Sequence, residues 1–333
     1  MSELSQSNFR CFFVSKQDDK VQRGIQTQSI DDLPAGDVLV RIKYSAVNYK
    51  DGLAAAGHPG VALNLPTIPG IDAVGTVVES TDDSISPGQD VMISGADFGT
   101  ASWGGWAELA RVPASYCIRI PAEMTPRQAA IIGTAGFTAA QSLLKIQHHG
   151  IQPDQGPVVV TGATGGVGIF AVSLLSQAGY HVVASTGKSD RHTWLKELGA
   201  KEVVSREAVV DDSKRPLLSA KWAAGIDTVG GNPLSSVLRA TKPGGCVTTC
   251  GLVADHKFAM TVYPFILRGV GLLGVDSANS SVPFRHELWQ RLATDLMPKN
   301  LESLVTEVPL TNVEDSVNDV LAGKIAGRHL ITI

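Results

Sequence analysis

The stretch Thr161-Gly162-Ala163-Thr164-Gly165-Gly166-Val167-Gly168 constrains this chain more than any other. It leaves a short, continuously apolar strand candidate over residues 157–161 and opens a small-residue helix candidate over 166–179. A second strand candidate follows at 181–185, which completes a βαβ unit. Glycines let the backbone turn sharply and approach a pyrophosphate closely. The helix N-terminus behind them supplies free N–H groups and the positive end of a dipole. The spacing Gly-x-x-Gly-x-x-Gly is a variant of the Gly-x-Gly-x-x-Gly fingerprint, set in the context that fingerprint requires. The competing reading is a glycine-rich strand–helix connection that holds no ligand.

The end of the second strand selects the dinucleotide. NAD binders place an Asp or Glu there to hold the ribose 2′-hydroxyl. Here the residues are Ser185, Thr186, Gly187 and Lys188, and no acid occurs before Asp190. A carboxylate would repel a 2′-phosphate, whereas Lys188 with the Ser185 and Thr186 hydroxyls attracts one. The expectation is NADPH. Arg191 and Arg206 are further candidate cations, with a solvated surface charge as the alternative for each.

Around this unit the chain alternates. Strand candidates at 202–204, 226–229 and 246–250 are separated by helix candidates at 191–198 and 233–240. Alternating βα units imply a doubly wound parallel sheet covered on both faces. The first third differs: strand candidates at 38–44, 73–78 and 91–93 are punctuated by Gly and Pro, which implies an antiparallel, barrel-like module. A helix pattern over 127–146, broken by Gly133 and Gly136, separates the two regimes, and a helix (313–321) and strand (329–333) close the chain. At about 150 residues per domain, a length of 333 fits this two-part division.

Lys and Arg number 28 against 32 Asp and Glu, a net charge of −4 without a run of one sign. That argues against a nucleic-acid groove or a membrane-surface protein, both of which need clustered Lys and Arg. No basic, apolar leader opens the chain, and no uncharged apolar run approaches the ~20 residues of a membrane span. The four cysteines, Cys11, Cys117, Cys246 and Cys250, are too scattered for a disulfide framework, and the cytoplasm is the expected compartment.

With the tail returning to the first module, this arrangement resembles the medium-chain dehydrogenase/reductase superfamily over nearly the whole chain. Pro69-Gly70-Ile71-Asp72-Ala73-Val74-Gly75, Gly88-Gln89-Asp90-Val91, Leu198-Gly199-Ala200 and Gly244-Gly245-Cys246-Val247 carry the resemblance beside the glycine turn. It implies an α/β fold: a GroES-like antiparallel β-barrel catalytic domain over 1–125, completed by 301–333, and a Rossmann NADPH-binding domain over 126–300. Many relatives hold a catalytic zinc through Cys and a Gly-His-Glu motif. Here Asn48 and Asp51 stand near the first position and Gly70-Ile71-Asp72 at the second, so no zinc is expected. Asn48-Tyr49-Lys50-Asp51-Gly52-Leu53, Ile132-Gly133-Thr134-Ala135-Gly136-Phe137, Pro264-Phe265-Ile266-Leu267-Arg268 and Gly274-Val275-Asp276-Ser277 are similar to one zinc-free group, the acrylyl-CoA reductases and YhdH/YhfP-type quinone oxidoreductases.

That resemblance implies NADPH-dependent reduction of acryloyl-CoA to propanoyl-CoA. Without zinc, the enolate formed on hydride addition needs hydrogen-bond donors. Asn48, Tyr49 and backbone N–H groups of the cleft are candidates, with a structural turn as the alternative for the two side chains, and within the resemblance Tyr49 also matches a cofactor-contacting position. Asp72 sits among apolar neighbours, where a carboxyl that keeps its proton can act as a donor. The alternative is an Asp that accepts from nearby backbone and fixes the loop. The resemblance further places Thr164, Gly165, Gly166 and Val167 on the pyrophosphate, and Ser185, Thr186, Gly187, Lys188 and Arg206 around the adenosine phosphate. Leu252 lines the crevice beyond the sheet, where ligands bind, Ile266 and Ser277 flank the nicotinamide, and Arg328 reaches the cofactor from the tail. Lys50 and Arg268 are candidates for gripping CoA phosphates, with a solvated surface charge as the favoured alternative for each. A homodimer formed through an edge strand near 272–276 is expected. Two other functions stay open: a quinone or enone reductase on the same scaffold, and a non-catalytic NADPH-binding sensor or structural protein.

Overall fold

The structure, a computed structural model, describes residues 8–333. The N-terminal residues 1–7 read above for a leader lie outside the described residues. In chain order, the first stretch runs β1 (Asn8–Gln17), β2 (Lys20–Ser29), β3 (Val38–Ala46), α1 (Tyr49–Ala55), β4 (Asp72–Ser80), β5 (Asp90–Ser94), β6 (Leu109–Val112) and β7 (Cys117–Arg119). The helix α2 (Pro126–His148) comes next. The alternating stretch is β8 (Val158–Val160), α3 (Gly166–Gln177), β9 (Val182–Thr186), α4 (His192–Glu197), β10 (Glu202–Ser205), β11 (Trp222–Asp227), α5 (Gly231–Arg239), β12 (Thr241–Thr249), α6 (Tyr263–Arg268) and β13 (Gly271–Gly274). The chain closes with α7 (Val282–Ala293), β14 (Val305–Pro309), α8 (Val313–Leu321) and β15 (Arg328–Thr332).

Two compact units result. The first takes the described residues up to Thr134 with Ala278–Asp295 and Leu301–Ile333; the second takes Ala135–Ser277 and Leu296–Asn300. Residues 126–134 and 278–295, expected from sequence with the second module, therefore pack with the first. Local contacts account for this. At Gly133 (φ 49, ψ −159) α2 leaves helical geometry, and the Thr134 N–H just beyond it donates to the Asp72 carboxylate of β4. Ala96 N–H donates to Ala278 O, and the buried Arg285 of α7 donates to the Ser94 carbonyl and hydroxyl at the end of β5.

The first unit is built on a seven-stranded sheet, β14-β15-β3-β4-β5-β7 with β6 also on β3. Its pairings are antiparallel except β14–β15, which is parallel. The sheet is therefore mixed rather than purely antiparallel, because α8 carries the chain from β14 back to the same edge, as a parallel pair requires. The hairpin β1–β2 turns at Asp18 and Asp19, both at positive φ. Phe12 of this hairpin meets the fully buried Trp106 edge to face, with centroids 5.6 Å apart. Trp106 Nε1–H donates to Ala46 O at 3.1 Å, which gives the buried indole its partner.

The second unit is an all-parallel six-stranded sheet in the order β10-β9-β8-β11-β12-β13. This is the doubly wound order 3-2-1-4-5-6, with its reversal between β8 and β11. Val158, Val159 and Val160 are all buried, as a strand covered on both faces demands. The helix α2 is long and apolar enough, by length and composition, to cross a membrane, but most of its apolar window is buried inside the protein.

Candidate active site

In the second unit the glycine turn bridges β8 and α3. Gly165 caps α3 in extended geometry without a side-chain hydrogen bond to the first turn, the kind of uncapped N-terminus that binds anions. A β-carbon on Gly168 would lie 2.7 Å from the Ala163 Cα and closer still to Gly162 O, so only glycine lets the turn fold onto the helix. Gly162 (φ 60) is equally confined, with Val229 Cγ1 2.9 Å from where its β-carbon would stand. The ends of β8, β11 and β12 thus meet at Gly162, residues 228–230 and residues 251–252, the carboxyl edge where α/β sheets bind ligands. Asp227, fully buried, organises this edge. It accepts from Thr161 Oγ1 at 2.7 Å and from Gly230 N–H at 2.8 Å, and burial pushes its carboxyl up.

The residues expected at the 2′-phosphate separate into two groups. Ser185 and Thr186 are buried. Thr186 Oγ1 lies 3.0 Å from Thr164 Oγ1 and accepts from Lys188 N–H at 3.1 Å, which fastens the end of β9 to the phosphate turn. The Thr186 hydroxyl thus positions the lip. Gly187 is exposed, and the Arg206 guanidinium lies where its side chain would be. Lys188 is half-buried beside it. Burial first, then the charges of Arg206 and Arg191, pull the Lys188 ammonium down from its ordinary range. A like-charged lip of this kind is relieved by a polyanion. Arg191 pairs with Asp190 at 3.1 Å.

Leu252 and Ile266 are exposed apolar side chains, and Ser277 Oγ accepts from Thr138 Oγ1 at 3.0 Å. Arg268, read as a CoA candidate, instead donates to the carbonyls of Leu218, Arg239 and Thr241 and serves the fold. Lys50 is exposed.

In the first unit, Asn48, Asp51, Asp72, Thr134 and Arg328 form one buried polar cluster. Asp51 is fully buried at the first turn of α1. Its Oδ1 accepts from Gly70 N–H (3.1 Å) and Ile71 N–H (2.8 Å), and its Oδ2 from Asn48 N–H (2.8 Å) and Nδ2 (3.1 Å). Burial, then the Asp72 charge, push the Asp51 carboxyl up to about 6, against the pull of those hydrogen bonds. Asp72 accepts from Thr134 N–H (2.9 Å) and Oγ1 (2.6 Å) on one oxygen, and from Asn48 Nδ2 (2.9 Å) and Arg328 Nη2 (3.4 Å) on the other.

Three expectations change here. Asn48 has two amide hydrogens, and Asp51 and Asp72 take both, so it has none for an enolate. Asp72 is an acceptor in every contact, one of them from a guanidinium, which is the loop-fixing alternative rather than a proton donor. Arg328, 2 % exposed, reaches no open surface. Besides Asp72 it donates to Ile131 O, Val47 O and Asn48 Oδ1. Burial pulls its guanidinium down and Asp72 pulls it back up. Tyr49 remains: half-buried at the first position of α1, its hydroxyl makes no described hydrogen bond. Sequence reasoning missed Thr134 and the role of Gly133, although the interrupted helix pattern marked the place.

Comparison with known proteins agrees with this architecture. The family model described as alcohol dehydrogenase GroES-like domain matches residues 34–122, and that described as zinc-binding dehydrogenase matches 166–295. The chain is 39% identical over 327 residues to the acrylyl-CoA reductase AcuI of Ruegeria pomeroyi, covering 98% of this chain and 99% of that one. It is 41% identical over 326 residues to YhfP of Bacillus subtilis, which is named for quinone oxidoreductase activity, covering 98% and 99%. The structure of YhfP with NAD bound matches with a TM-score of 0.94 over 98% of this chain and all of that one. The yhdH oxidoreductase of Salmonella enterica in complex with NADP matches at 42% identity with a TM-score of 0.93, over 97% of this chain and 99% of that one.

One matching family is named for zinc, and the donors present do not fit that ion. The oxygens of Asp51 and Asp72 already accept eight hydrogen bonds between them, one of them from a cation. Asn48, Ile71 and Thr134 offer neither thiolate nor imidazole. Among the described residues, no three His, Cys, Asp or Glu side chains come together as a metal requires. Burial pushes the Cys246 and Cys250 thiols up to about 12.

Proposed function

Because the chain belongs to the medium-chain dehydrogenase/reductase family, in the group of the acrylyl-CoA reductases, we propose that it is a zinc-free, NADPH-dependent reductase that converts acryloyl-CoA to propanoyl-CoA. The observation that carries the cofactor half of this reading is the lip of Gly187, Lys188 and Arg206 at the end of β9, cationic where an NAD binder places an acid. The thioester half rests on the full-length similarity to AcuI.

NADPH, when bound, supplies the hydride that adds to the β-carbon of the unsaturated thioester. The first-turn N–H groups of α3, with Thr164 to Val167, hold its pyrophosphate. Lys188 and Arg206 would hold its 2′-phosphate, Leu252 would line the crevice beyond the sheet, and Ile266 and Ser277 would flank its nicotinamide. Hydride addition leaves negative charge on the thioester oxygen. The Tyr49 hydroxyl donates a hydrogen bond to that oxygen, and the α-carbon then takes a proton from water. Asp72 and Arg328 hold the α1 turn and touch no reacting atom.

The test is NADPH oxidation at 340 nm with acryloyl-CoA, crotonyl-CoA and a benzoquinone, each repeated with NADH. The reading expects fastest turnover with acryloyl-CoA and NADPH. Preference for the quinone would favour the reading that the YhfP similarity supports. NADPH binding without turnover of any acceptor would make the chain a cofactor-binding sensor. Equal rates with NADH would remove the role given to Lys188 and Arg206.

A homodimer belongs to the same proposal. The strand β13 ends the parallel sheet with one edge unpaired by described strands, and Val262, Tyr263, Ile266 and Leu267 of the adjoining segment are exposed. An unpaired edge beside apolar side chains favours pairing with a second copy. Sedimentation equilibrium showing monomer alone would withdraw it. The four free cysteines suit a reducing compartment, and we place the protein in the cytoplasm.

A further inference from the structure

We infer that Asp72 and Arg328 are positioning residues for Tyr49, acting on it through Asn48. This rests on the assignment of Tyr49 as the donor to the substrate oxygen.

The geometry leaves Asn48 no freedom. Its Oδ1 accepts from Arg328 Nη1 at 2.9 Å, and its Nδ2 donates to Asp72 Oδ2 at 2.9 Å and to Asp51 Oδ2 at 3.1 Å. Arg328 Nη2 closes the ring on Asp72 Oδ2 at 3.4 Å. An amide whose oxygen faces a guanidinium and whose nitrogen faces two carboxylates has one orientation. Asn48 is the cap of α1, and Tyr49 is the next residue and the first of the helix. The second oxygen of Asp72 ties the same cluster to Thr134, beyond the break in α2. The backbone from which Tyr49 departs is therefore tied at the α1 turn to three other chain segments: the start of β4, the break in α2 and the start of β15.

Burial sharpens the dependence. Arg328 and Asp72 side chains are 1% and 3% exposed. Neutralising Asp72 leaves the Arg328 charge without compensation, and replacing Arg328 by Lys keeps the charge but removes the planar fork that bonds Asn48, Val47 and Asp72 together. The Asn48 amide is the neighbour both charges hold, so its rearrangement reaches Tyr49 first. A misplacement of about 1 Å at a donor to a developing oxyanion costs on the order of 100-fold in rate.

The experiment compares wild type, Asp72→Asn, Arg328→Lys, Tyr49→Phe and the double variants of each of the first two with Tyr49→Phe. Steady-state rates are measured with whichever acceptor the wild type turns over best, and the NADPH Kd by fluorescence titration. We expect Asp72→Asn and Arg328→Lys to lower kcat by about tenfold or more, with NADPH Kd within about twofold. In the Tyr49→Phe background the same changes should cost less than about twofold, because residues acting through one another are non-additive. Equal losses with and without Tyr49 would overturn the inference. So would a weakened NADPH Kd with unchanged kcat, which would put Arg328 on the cofactor.

If no acceptor is turned over, the proposed function fails but this inference still has a readout. With ¹³C-labelled tyrosine, Arg328→Lys should move the Tyr49 ring resonance more than those of the other four of the five tyrosines. An unmoved Tyr49 resonance in a variant that keeps the wild-type circular dichroism would overturn it.

Discussion

A β-carbon on Gly133 would stand 2.7 Å from Asp72 Oδ2 and 2.9 Å from Arg328 Nη2, so the buried ion pair and the break in α2 share one space. The break also frees the Thr134 N–H, which the same carboxylate accepts. Gly133→Ala therefore combines a positive φ with a collision against a buried pair. The strain alone costs about 1–3 kcal/mol, and displacement of the pair adds to it. A lowered urea midpoint with an unchanged slope is the expected outcome.

Gly168→Ala acts on the other unit. Its methyl group would meet Ala163 and Gly162 O, backbone that cannot step aside without opening the phosphate turn. The expected result is loss of NADPH binding in isothermal titration, with the first unit's near-ultraviolet signal from Trp106 retained.

Lys188→Gln and Arg206→Gln should separate the two cofactors. A charge-assisted hydrogen bond contributes about 1.5–3 kcal/mol, so each change should raise the NADPH Kd by about 10- to 100-fold. NADH lacks the 2′-phosphate, and its Kd should stay within about twofold.

The same lip sets a pH dependence. Burial and two neighbouring guanidinium groups hold the Lys188 ammonium below its ordinary value of 10.5 in the free protein. A bound phosphate favours the charged form, so on the alkaline side binding takes up a proton and affinity falls as pH rises. The ratio of NADPH to NADH affinity should be level near neutrality and should decline before pH 10.5 is reached. Lys188→Gln should abolish that decline.

In the proposed reaction Tyr49 is the donor to the thioester oxygen, and Tyr49→Phe removes its hydroxyl without changing the ring. Loss of one preorganised donor to an oxyanion costs about 100- to 1,000-fold in kcat. The acceptor KM and NADPH Kd should change little. A variant at wild-type rate would return the role to backbone N–H groups.

Much of the second unit was legible along the chain, because what forms it is local. The apolar run Val158–Val160 reports a strand buried on both faces, and Gly162 and Gly168 report a turn that side chains would block. Lys188 in place of an acid is likewise visible by position alone. The hairpin β1–β2 and the helix α7 gave weaker signals. The hairpin turns at two Asp residues without glycine, and α7 is recruited to the first unit by Arg285 at a separation of 191 residues from Ser94.

The polar cluster was the opposite case. Asn48, Asp51 and Asp72 could be named as candidates from their residue types, but a residue type states only what a group is able to donate or accept. Which partner takes each hydrogen was decided by contacts 24, 62 and 256 residues from Asp72, and by one 280 residues from Asn48. Burial compels each polar group to find a partner, and only the folded chain determines which one is within reach. That is why Asn48 and Asp72 became supports, why Arg328 turned inward, and why Tyr49 was left with a hydroxyl to offer.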